Sequence, residues 1–104
     1  MTEYYDIIWK ENNVGRIENA IPDSWYLEGN WVSNNSPSSQ EFEKLIASFD
    51  PKQIDKDPTK GTKVILKSGD TDTHGLIYSL ENGKLFLRQV FKNEAVEWLL
   101  KNVK

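Results

Sequence analysis

The chain has 104 residues, 38% of them hydrophobic and 12% aromatic, with a net charge of −3; this suits one folded domain, residues 1–104, and excludes a disordered chain. It has no cysteine, which excludes disulfides, thiol catalysis and Cys-rich metal sites. Apolar runs such as Val64-Ile65-Leu66 fall far short of the roughly 20 residues that cross a bilayer.

Residues 1–50 carry nine acids against three bases, and residues 51–104 seven acids against ten bases. A nucleic-acid partner is disfavoured, because such proteins gather bases into a stripe. The acidic start, with no basic region followed by an apolar run, leads to the expectation of a cytoplasmic protein without a membrane segment.

In chain order, Tyr4 to Lys10 and Val14 to Ala20 read as a hairpin around Asn12-Asn13, residues that tolerate positive φ. That register sets Trp9 opposite Arg16 and Ile8 opposite Ile17. Trp25 to Val32 alternates as a third strand, with Trp25, Leu27, Gly29 and Trp31 on one face and Tyr26, Glu28, Asn30 and Val32 on the other. Gly29 leaves a gap for a neighbouring ring or marks a bulge.

A helix follows, with Pro37 at its first position and Ser38 and Glu41 spaced as a capping box; Phe42, Leu45, Ile46 and Phe49 form its buried stripe. Asp50-Pro51 ends it. Residues 51–61 read as one long loop. Lys63 to Lys67 and Gly75 to Glu81 read as strands around a loop, and Asn82-Gly83 is a strong hairpin turn. That turn pairs Leu80 with Leu85 and Tyr78 with Leu87, which puts Leu76, Tyr78, Leu80, Leu85 and Leu87 on one core face. The last helix takes Asn93 as its N-cap, ends on Lys101 and Lys104, and buries Val96, Leu99, Leu100 and Val103, with Trp98 beside the stripe.

The expected fold class is α+β: a largely antiparallel sheet of about five to six strands, built of β-hairpins and packed with two amphipathic helices. The second face of the last hairpin carries Ile77, Phe86 and Val90 among charges, so a helix, a loop or a partner is expected to cover part of it.

Three groups of side chains bear on function. Trp25, Tyr26 and Trp31 make an aromatic set; core filling claims Trp25, Leu27 and Trp31, while Tyr26 is the candidate for exposure. Asp70, Asp72 and His74 alternate, and an extended segment would aim all three one way, as a metal or acid/base site requires; turn residues at Gly69, Asp70 and Asp72 favour a plain loop. Glu18, Asp23 and Glu28 lie among the aromatics, and solvated surface is their default reading.

The sequence has no glycine-rich phosphate loop, no Cys/His metal spacing and no Gly-x-Ser-x-Gly elbow. No cofactor and no catalytic residue are expected. In size and charge alone the chain is similar to small acidic bacterial domains that bind another protein, the immunity proteins of toxin systems among them; no motif carries that likeness and no residue is transferred from it. The leading expectation is a non-catalytic module, immunity-like or adaptor-like, that meets a basic protein through Glu18, Asp23, Tyr26, Glu28 and Trp31. Behind it come a small-ligand or carbohydrate binder with a cleft of Trp25 and Trp31, and then a metal-assisted enzyme using Asp70, Asp72 and His74.

Overall fold

The computed structural model describes residues 4–103, so Lys104 lies outside the described residues. Six strands, β1 (Tyr4–Trp9), β2 (Asn12–Asp23), β3 (Tyr26–Ser33), β4 (Thr62–Ser68), β5 (Thr71–Glu81) and β6 (Lys84–Val90), form a closed antiparallel barrel in the order β1-β2-β3-β6-β5-β4. Three helices accompany it: α1 (Pro37–Ala47), α2 (Pro51–Lys56) and α3 (Asn93–Asn102). Among the described residues no helix is long and apolar enough to cross a membrane.

Closure overturns the expected open α+β sheet packed on two helices. Each half of the chain folds into a three-stranded meander, and a lone meander leaves two edges of unpaired backbone. The edges meet each other: β1 pairs β4, with Ile8 opposite Ile65, and β3 pairs β6, with Leu27 opposite Leu87. Local hairpin signals identify the meanders but say nothing about which distant edges join.

The barrel interior is filled by strand residues such as Ile7, Ile17, Leu27, Leu66, Ile77 and Leu87, and by Phe42 and Ile46 of α1. Gly29 belongs to this packing, since a Cβ there would collide with the Ile17 side chain. The gap is therefore filled by an aliphatic group, and the bulge lies across the ladder on β2, between Glu18 and Ile21.

The first hairpin turns at Lys10-Glu11, both at positive φ (48° and 68°), instead of Asn12-Asn13. Trp9 therefore faces Asn12, Asp6 faces Arg16 and Tyr5 faces Ile17, with a bulge between Ile7 and Ile8. Asn13 instead braces the start of β2, where its side-chain oxygen accepts from the Gly15 N–H at 2.9 Å.

A third bulge changes the last hairpin. Leu80 faces Leu85 as the turn dictates, but Ser79 then faces Phe86 and Ile77 faces Leu87, leaving Tyr78 as the extra residue. One added residue reverses the facing of everything beyond it. Ile77, Leu85 and Leu87 thus fill the barrel, while Leu76 and Tyr78 join Ile54, Leu99 and Val103 in an outer cluster that Phe86 and Val90 also touch. The five-residue core face is split, and so is the expected second face: Phe86 and Val90 are partly covered by the outer cluster, whereas Ile77 lies inside the barrel.

The long-loop reading of residues 51–61 fails on its two prolines. Pro51 and Pro58 open a helix and a 3-10 turn (Pro58–Lys60), capped by Asp50 and Asp57, whose carboxylates accept from Lys52 N–H at 3.0 Å and Thr59 N–H at 3.2 Å. Asp57 is held below the ordinary carboxylate range, first by the side-chain hydrogen bond from Thr59. In α1 the cap is Ser36, not Ser38, with Oγ accepting from Ser39 N–H at 3.1 Å. Leu45 is exposed. In α3, Lys92 and not Asn93 stands at the N-cap, without a side-chain bond; Leu100 and Trp98 face outward while Leu99 and Val103 are buried.

Candidate functional site

The outer wall of the barrel carries two grooves, set by strand alternation on β3 and β6. Tyr26 faces Arg88 and Glu28 faces Phe86 across that ladder, and the β2–β3 hairpin, turning through Ser24 at φ 59°, projects Trp25 beside them. Trp25 stays in register because its carbonyl accepts from Gln89 N–H at 2.6 Å.

The first groove, about 640 Å³, is lined by Ile21, Asp23, Tyr26, Glu28, Tyr78 and Phe86, among others. Its charged lining residues are Asp23, Glu28 and Glu81, all acids. The Tyr26 and Tyr78 rings meet edge to face, centroids 6.0 Å apart. The Tyr78 hydroxyl is pushed above its ordinary value of 10.0, chiefly by burial, with Tyr26 and Asp55 adding to the rise and a hydrogen bond from Arg88 opposing it.

The second groove, about 480 Å³, lies between β6 and α3. Trp25, Phe91 and Trp98 line it, at 48%, 64% and 42% exposure. The Arg88 guanidinium lies 5.3 Å from the Trp25 ring centroid, a cation–π arrangement. Arg88 and Lys92 are the charged residues of this lining.

Of the residues expected to bind, Asp23, Tyr26 and Glu28 come together in the first groove. Glu18 does not join them; it lies further along β2, paired with Arg16 at 2.6 Å. Trp31 points to the opposite side of the sheet, where its ring packs on Phe42 with centroids 5.4 Å apart and its indole N–H donates to Glu43 Oε1 at 2.9 Å. A cleft of Trp25 with Trp31 therefore does not form. Trp25 also departs from its expected core role, since it sits in the turn before β3 and is half exposed. Tyr26 is exposed, as expected.

Asp72 and His74 lie on β5, paired with Lys67 and Ile65, and Asp70 occupies the two-residue turn before it. The turn is shorter than the expected loop, since only Gly69-Asp70 separates the strands. Even so, no group of three His, Asp or Glu side chains suited to a metal ion forms among the described residues. The contributions of Phe91, Trp98, Tyr78 and Glu81 escape sequence reasoning, because they depend on the bulge at Tyr78 and on the shallow seating of α3; the one local signal is Trp98, which falls beside its helix stripe.

No protein-family model, curated protein or solved structure matches the chain.

Proposed function

We propose that the protein is a non-catalytic, cytoplasmic binding module whose first groove takes a basic segment of a protein partner. The observation that carries this reading is the groove's charge: Asp23, Glu28 and Glu81 share a lining with Tyr26, Tyr78 and Phe86, with no base among them. Aromatic walls receive the aliphatic stems of Lys and Arg, and the carboxylates meet their charged heads. Acids concentrated on one face also speed encounter with a cationic partner and make binding depend on salt.

A synthetic peptide of alternating lysine and leucine, set against its glutamate counterpart, tests the reading by fluorescence anisotropy. The cationic peptide is expected to bind, more weakly as salt is added, and Asp23→Asn with Glu28→Gln should loosen it about tenfold. Glu18→Gln, outside the groove, should leave it unchanged. Equal binding of both peptides, or indifference to the double substitution, refutes the proposal.

A further inference from the structure

We propose that the second groove is a site for a small aromatic carboxylate, distinct from the acidic groove. Three observations converge on that chemistry. The walls are rings: Trp25, Phe91 and Trp98 all stand partly in solvent, and no hydrogen bond within the described residues engages the Trp25 or Trp98 indole N–H, in contrast to Trp9, bonded to Thr62 Oγ1, and Trp31, bonded to Glu43. Flat aromatic ligands stack on such walls.

The charge is cationic and uncompensated. Arg88 and Lys92 line the groove without an acid, and neither pairs with a carboxylate among the described residues. Stacking on Trp25 and the hydrogen bond to the Tyr78 hydroxyl restrain the Arg88 guanidinium, and a held guanidinium presents its remaining N–H groups to the two oxygens of a carboxylate.

The size sets the class of ligand. A space of about 480 Å³ falls within the roughly 300–1,000 Å³ of small-molecule sites and is too small for a folded partner. Leu76, Val90 and Leu99 form its apolar floor beside the rings, which favours a ligand with a flat apolar body and one anionic end over a fully polar one.

The test titrates the full chain with 2-naphthoate and, in parallel, with the uncharged 2-naphthamide, by calorimetry and by ¹H–¹⁵N spectra of the four indoles. Naphthoate should bind at least about tenfold tighter than the amide, since only it accepts charge-assisted bonds. It should shift the Trp25 and Trp98 indole signals and leave those of Trp9 and Trp31 in place. Arg88→Gln should bring naphthoate down to the affinity of the amide, and Lys92→Gln should weaken it by a smaller factor. Equal affinity for acid and amide, unmoved Trp25 and Trp98 signals, or a Lys92→Gln protein that binds naphthoate as the parent does each overturn the proposal. So does a nucleoside monophosphate that binds the same two indoles more tightly than naphthoate, because the anion would then be a phosphate.

Discussion

Helices α1 and α3 are almost equal in length, eleven and ten residues, and both repeat apolar side chains at helical spacing, yet they attach to the barrel at different depths. Helix α1 plugs the interior: Phe42 lies among Trp9 and Trp31, ring centroids 5.5 and 5.4 Å away, and Ser39 is buried against Ser33, Oγ to Oγ 2.7 Å. Helix α3 rests on the outer wall through Leu99, with Val103 just past its end, and leaves Trp98 and Leu100 in solvent. The deeper contact fills the barrel. The shallower one leaves space beside it, and that space is the cationic groove, so one architecture supplies both a stable frame and an open surface.

The sharpest way to break this comparison is to truncate one anchor in each helix. Phe42→Ala should cost about 3–5 kcal/mol and Leu99→Ala about 2–3 kcal/mol, read from denaturant unfolding. Phe42 is enclosed by rings and barrel side chains that are already packed, whereas the outer cluster can partly close over a smaller residue. Equal losses at both positions would mean that α3 is seated as firmly as α1.

A smaller effect is expected at the helix starts. Ser36→Ala removes the bond to Ser39 N–H and should cost about 1 kcal/mol. Lys92 makes no side-chain cap in α3, so Lys92→Ala should cost markedly less in the same unfolding measurement; a comparable loss there would contradict the absence of a cap.

Much of this asymmetry is hidden in the sequence, for identifiable reasons. The hairpin turn at Asn82-Gly83, the strand of Leu27 and Trp31 and the helix of Phe42 and Ile46 are local features, and periodicity and turn chemistry disclose them. The β1–β4 and β3–β6 joints are contacts across the chain with no local signature. The bulge at Tyr78 is equally silent: strict alternation continues through Leu76, Tyr78 and Leu80, and only the competing demand of the barrel for Ile77 turns Tyr78 outward. At the site, Asp23, Tyr26 and Glu28 are legible because they flank one hairpin turn, Asp23 at the end of β2 and Tyr26 and Glu28 at the start of β3. The inward side of Trp31 is legible too, since β3 alternation opposes it to Tyr26 and core filling claims it; its packing on Phe42 of α1 fits that reading and not the binding one.

Tyr78 also provides the finest test of how dry the cluster under α3 is. Burial raises its hydroxyl above the ordinary value of 10.0, so below that value the favourable contribution of the neutral phenol is fully present. As pH rises past it, the unfolded chain gives up this proton first and the folded chain only later, which means that stability falls through this window. Tyr78→Phe keeps the ring against Tyr26 and removes the titrating proton. Between about pH 9 and 11, the parent should therefore lose stability more steeply than the variant in parallel denaturant titrations. Identical slopes would mean that water reaches the hydroxyl, that the outer cluster opens readily, and that α3 is held even more loosely than its single buried residue, Leu99, implies.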